Sequence, residues 1–63
     1  MNNENDIQAL ANAIYNNTDS NATYNLPSGE TIKLPTGQGT GTTTQKKTYA
    51  DMKARTFFNR IAA

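Results

Sequence analysis

Apolar residues in this chain fall into three groups, each with its own period. Ile7, Leu10, Ala11, Ile14 and Tyr15 recur at i, i+3, i+4, i+7 and i+8, the spacing that collects side chains on one helical face. This predicts a short amphipathic helix over residues 4–16. Glu4 and Asp6 fall in its first turn, where the helix dipole favours anions, with Asn3 or Asn5 as the capping residue. The run Asn16-Asn17-Thr18-Asp19-Ser20-Asn21 ends it, because these side chains compete for backbone hydrogen bonds and favour turns.

The second group alternates. Thr23-Tyr24-Asn25-Leu26 and Thr31-Ile32-Lys33-Leu34 have period two and are separated by Pro27-Ser28-Gly29-Glu30, in which proline fixes φ and glycine supplies a positive φ. A β-hairpin is predicted over 22–35, with Tyr24, Leu26, Ile32 and Leu34 on one face. The third group, Ala50, Ala54, Phe57, Phe58 and Ile61, is again a helical stripe. It predicts a C-terminal helix over 48–62, widened by Tyr49 and Met52 and flanked by Lys53, Arg55 and Arg60. Thr48-Tyr49-Ala50-Asp51 resembles a capping box with Asp in place of Glu.

Between the second and third groups the pattern stops. Residues 36–47, TGQGTGTTTQKK, contain no apolar side chain and read as a flexible or extended linker. Such a linker averages roughly 19 Å end to end and reaches about 40 Å when extended. The chain therefore divides into an N-terminal helix with its Asn-rich turn (1–21), a hairpin (22–35), a linker (36–47) and a basic amphipathic helix (48–63). The expected fold class is small α+β or mostly irregular. Each apolar face is too small to bury alone, and an isolated hairpin is marginal in water, so an independent compact domain is not expected.

Composition sharpens this picture. Sixty-three residues hold one domain at most, and so short a chain buries only roughly 60% of its unfolded surface. Cysteine and histidine are both absent, which removes disulfides and the best transition-metal ligands as staples. Hydrophobic residues make up 35% of the chain, yet charged residues only 17%. The polarity comes from Asn and Thr, neutral groups that an interface can bury when they are paired. Charge is also uneven. Glu4, Asp6, Asp19 and Glu30 face only Lys33 in residues 1–44, whereas Lys46, Lys47, Lys53, Arg55 and Arg60 face only Asp51 in the remainder. The N-terminus has neither a basic region nor a long apolar run, so export by a signal peptide is not expected. The expected location is a virion or the host cytoplasm.

Candidate chemistry is sparse. The Gly-rich stretch places Lys46 where a phosphate-binding loop needs glycine before Lys47-Thr48, and its glycine spacing misses the dinucleotide fingerprint. The carboxylates are scattered as caps and turn residues, and both serines lie in turns. No enzyme activity, cofactor or metal is expected. Nucleic-acid binding draws support from the basic, aromatic-bearing C-terminal segment, but the pI of about 8.1 is modest. Protein docking fits more of the sequence, since aromatic residues and arginine are the usual interface anchors. The expected partner-binding residues are Ile7, Leu10, Ile14, Tyr15, Tyr24, Tyr49, Arg55, Phe57, Phe58, Arg60 and Ile61. The functional expectation is a small non-enzymatic structural subunit docking on a larger protein assembly of repeated subunits. Its concrete form is a minor bacteriophage virion protein that cements or bridges capsid, portal or tail. The alternatives are a small inhibitor of one enzyme or nucleic-acid machine, or an architectural nucleic-acid binder acting through the basic helix.

Overall fold

The chain forms four elements in the order α1 (Glu4–Asn16), β1 (Thr23–Asn25), β2 (Thr31–Lys33) and α2 (Thr43–Ala62). The computed structural model describes residues 4–37 and 41–62, with side chains as far as Asn59. Helix α1 has the predicted bounds. It buries Ile7, Leu10 and Ile14 on one face and carries Glu4 and Asp6 in its first turn. Asn5 lies inside the helix; Asn3 lies outside the described residues.

The hairpin also follows its alternation. Thr23, Tyr24 and Asn25 pair with Lys33, Ile32 and Thr31 in antiparallel register, and the ladder continues at both ends through Leu34 N–H to Ala22 O and Leu26 N–H to Glu30 O. The turn Leu26–Gly29 is closed by Gly29 N–H donating to Leu26 O at 2.9 Å. Among the described residues none other than glycine has a positive φ, and Gly29 sits at +96°. Pro27 therefore starts a turn of the type I class, and Gly29 provides the left-handed residue that returns the chain to the sheet. Leu26, Ile32 and Leu34 are buried and Tyr24 is half-buried on one face. Thr23, Asn25, Thr31 and Lys33 are exposed on the other, where Thr31 Oγ1 donates to Asn25 Oδ1 at 2.8 Å.

The corner between α1 and β1 is organised by Asn17. Its Oδ1 accepts from Asp19 N–H at 2.9 Å, while its amide reaches the carbonyls of Asp19, Leu34 and Pro35 at 3.0–3.2 Å. Asn17 O in turn accepts from Gly37 N–H at 3.1 Å. One side chain thus fastens the end of α1 to the strand leaving the hairpin. Gly37 is buried here, and a β-carbon added to it would collide with the carbonyl oxygens of Ile14 and Tyr15.

The largest departure from the sequence reading is the start of α2. It begins at Thr43 rather than residue 48, so residues 43–47 of the expected linker are helical. A capping box that begins directly after Gly41 sets this boundary. Thr42 Oγ1 accepts from Gln45 N–H at 3.1 Å, Gln45 Oε1 accepts from Thr42 N–H at 2.9 Å, and Thr42 O receives the first helical bond, from Lys46 N–H. The box anticipated at Thr48–Asp51 is therefore not a cap. Thr48 lies within the helix, and its hydroxyl donates to Thr44 O at 2.9 Å. At the other end of the stretch Thr36 and Gly37 pack against the chain. Gln38, Gly39 and Thr40 lie outside the described residues.

The two helices run antiparallel. Glu4 at the start of α1 meets Arg55 late in α2, while Tyr15 at the end of α1 lies beneath Lys47 early in α2. Their apolar faces and the inner face of the hairpin close one core of Ile7, Leu10, Ile14, Leu26, Ile32, Leu34, Ala50, Ala54 and Phe58. Ala50 and Ala54, 1% and 0% exposed, let the helix backbones approach closely. The expectation that the pieces would not form a compact unit is corrected here. The radius of gyration is 11.3 Å, beside about 10.6 Å for a folded chain of this length and about 24 Å for an unfolded one. The three apolar faces, each small, cover one another. Among the described residues no helix is long and apolar enough to cross a membrane.

Candidate interaction surface

Helix α2 presents three sides. Its inner side, Ala50, Ala54 and Phe58, belongs to the core. One flank carries a charge cluster: Arg55 donates from both terminal nitrogens to the two carboxylate oxygens of Glu4 at 2.9 and 3.1 Å, and from Nε to Asp51 Oδ2 at 3.0 Å. The hydrogen bonds that the guanidinium donates to Glu4, reinforced by Asp51, hold it above its ordinary pKa. All three groups are open to water, so the cluster sets the rotation of α2 against α1 more than it adds stability.

The outer side differs in chemistry. Tyr49 and Met52 are 43% and 63% exposed; three residues apart, they share a helical face. Lys53 lies over the Tyr49 ring at 5.6 Å, a cation–π contact that braces both side chains. Lys46, three residues before Tyr49 and seven before Lys53, is half-buried at the edge of this side, one turn before the buried Ala50. Lys46 and Lys53 make no ion pair among the described residues. The hydroxyl of Thr56, next along this side, donates back to Met52 O at 2.9 Å, leaving the side chain packed against its own helix.

A shallow open groove of about 280 Å³ runs between the helices, lined by Gln8, Ala11, Asn12, Tyr15, Lys47 and Asp51. Its two charged residues are already engaged, Lys47 with the Tyr15 ring at 5.8 Å and Asp51 with Arg55.

The structure distributes the expected partner-binding residues over several environments. Ile7, Leu10, Ile14 and Phe58 are buried in the chain's own core, so contact through them requires the helix pair to open. Tyr15, Tyr24 and Phe57 are half-buried against that core. Arg55 is exposed but held by Glu4 and Asp51. The side chains of Arg60 and Ile61 lie outside the described residues. Of the set, Tyr49 stands clear of the core. Its neighbours Met52, Lys46 and Lys53 were not among the expected anchors. The helical period separates Met52 from the Ala50–Phe58 stripe, and that was the signal available in the sequence. The chain matches no protein-family model, no curated protein and no solved structure.

Proposed function

We propose that this chain is a small non-enzymatic interaction subunit that docks on a larger protein assembly through the outer side of α2. One observation carries the proposal: Tyr49 and Met52 remain together in solvent on a helix whose opposite face is fully used by the core. Tyrosine is enriched at interface centres, and methionine adapts its shape to a partner. The Cys-free, Asn- and Thr-rich composition favours a component of a virion, on capsid, portal or tail, as the assembly. A regulatory inhibitor would use the same surface and differs in binding a single enzyme rather than a repeated subunit.

The test is site-specific photo-crosslinking in source cells, with the photoreactive residue at Met52 and a control at Thr23 on the hairpin's polar face. A discrete adduct from position 52 that is missing from position 23 is expected. Repeated-subunit stoichiometry in that adduct favours the virion form, and one-to-one stoichiometry with an enzyme favours the inhibitor. Equal labelling from both positions, or none from position 52, overturns the docking proposal.

A further inference from the structure

We infer that the partner seated on the Tyr49–Met52 side of α2 is an acidic protein surface with an apolar centre. The inference rests on the docking reading above and names the chemistry of its partner. The two flanks of α2 are electrostatically unlike. On one, Arg55 is matched by two carboxylates of the chain itself. On the other, Lys46 and Lys53 lie one turn before and one turn after Tyr49, and neither pairs with a carboxylate among the described residues. Seven residues of helix separate them, about 10.5 Å along the axis. Covering Met52 draws these ammonium groups out of water, and an unmatched charge at an interface is costly. The surface that covers Met52 must therefore bring its own carboxylates at that spacing, around an apolar residue that meets Met52 and Tyr49.

The same charges argue against two other occupants. A second copy docked through this side would bring Lys46 and Lys53 of both chains together with no carboxylate between them. A nucleic-acid backbone would supply anions, but the most exposed large apolar side chain of the described residues, Met52, would stand in the middle of the contact. The Tyr49 ring, on which a base would stack, is already covered by Lys53.

The full-length chain is titrated with two labelled synthetic helical peptides that share one leucine stripe and differ in carrying Glu or Lys beside it. Fluorescence anisotropy at roughly physiological salt is the readout. The Glu peptide should bind at least about ten-fold more tightly than the Lys peptide. The double variant Lys46→Glu/Lys53→Glu should invert that order, and Met52→Asp should weaken the Glu peptide by a similar factor. All three positions lie outside the core, and circular dichroism checks that each variant keeps its helices. Equal affinity for the two peptides, or an order that the double variant leaves unchanged, overturns the inference. So does tighter binding of a DNA duplex of about 20 base pairs with a steep salt dependence, or a dimer in sedimentation that Met52→Asp dissolves. If position 52 crosslinks to a partner while the peptides show no charge preference, docking stands and the acidic-partner inference falls. If position 52 crosslinks to nothing and neither peptide binds, both fall.

Discussion

Asn17 shows how much one side chain can do in a chain of this size. Its amide hydrogens are shared among carbonyls from its own corner and from the residues after β2, while its oxygen shapes the turn. Asn17→Ala should cost about 1–3 kcal/mol, because the carbonyls of Leu34 and Pro35 lose their donor. Asn17→Asp keeps the oxygen that accepts from Asp19 but not the donors. It should fall close to the alanine variant in urea midpoint, and wild-type stability for Asp would show that the turn alone matters. Gly37→Ala is expected to lose a further kind of contact. Its backbone needs no unusual φ, but the methyl has no room beside the carbonyls of Ile14 and Tyr15, so overpacking should cost about 1–3 kcal/mol in the same titration. Neither role was legible locally. Asn17 is one of several asparagines in a run that reads as a turn, and its distant partners lie 17 and 18 residues away. Gly37 reads as a linker glycine until α1 is packed against it.

At the level of elements, sequence periodicity located what the core demands. Helix α1 and the hairpin appear where their apolar periods place them, because each contributes one face to the core and that face dictates the pattern. The start of α2 escaped the same reasoning. Residues 42–45 are exposed, so packing imposes no apolar period on them, and threonine has poor helix propensity. The boundary is set instead by the reciprocal bonds of Thr42 and Gln45. Thr42→Ala should therefore cost about 1 kcal/mol and lower helicity by circular dichroism. Thr48→Ala, at the position where periodicity placed the cap, should be neutral or slightly stabilising, since the Thr48 hydroxyl only bonds back to Thr44 within the helix. The reverse ranking would return the helix start to residue 48. The proposed interaction surface was half legible. Tyr49 stood out as an aromatic beside the stripe, but Met52 and Lys53 gain meaning once Ala50, Ala54 and Phe58 are seen to form the inner side of α2.

For the molecule as a whole, the core has little to spare. At roughly 0.05–0.15 kcal/mol per residue, a domain of this length is stable by about 3–9 kcal/mol. Phe58→Ala typically costs about 3–5 kcal/mol, which is most of that. Phe58→Ala should abolish cooperative unfolding, whereas Met52→Asp should leave the melting curve close to wild type. A Phe58 variant that still melts cooperatively near the wild-type temperature would show that the helices are not held by this core. Binding experiments should accordingly avoid Phe58 and use the outer side of α2, where loss of contact and loss of fold can be separated.

The antiparallel pairing of α1 with α2 also has a kinetic consequence. Neither helix can bury its face until the other arrives, and 26 residues, 17 to 42, separate them. Closing a loop of that length costs about 3 kcal/mol of chain entropy before any helix contact repays it. The hairpin shortens the search. Once the turn at Pro27–Gly29 has zipped Ala22 to Leu34, the effective loop is roughly halved, which removes about 0.6 kcal/mol. On this view the hairpin is a folding accelerator as well as a wall of the core. Gly29→Ala, strained at its positive φ but open to space, should slow refolding in stopped-flow measurements more than it speeds unfolding.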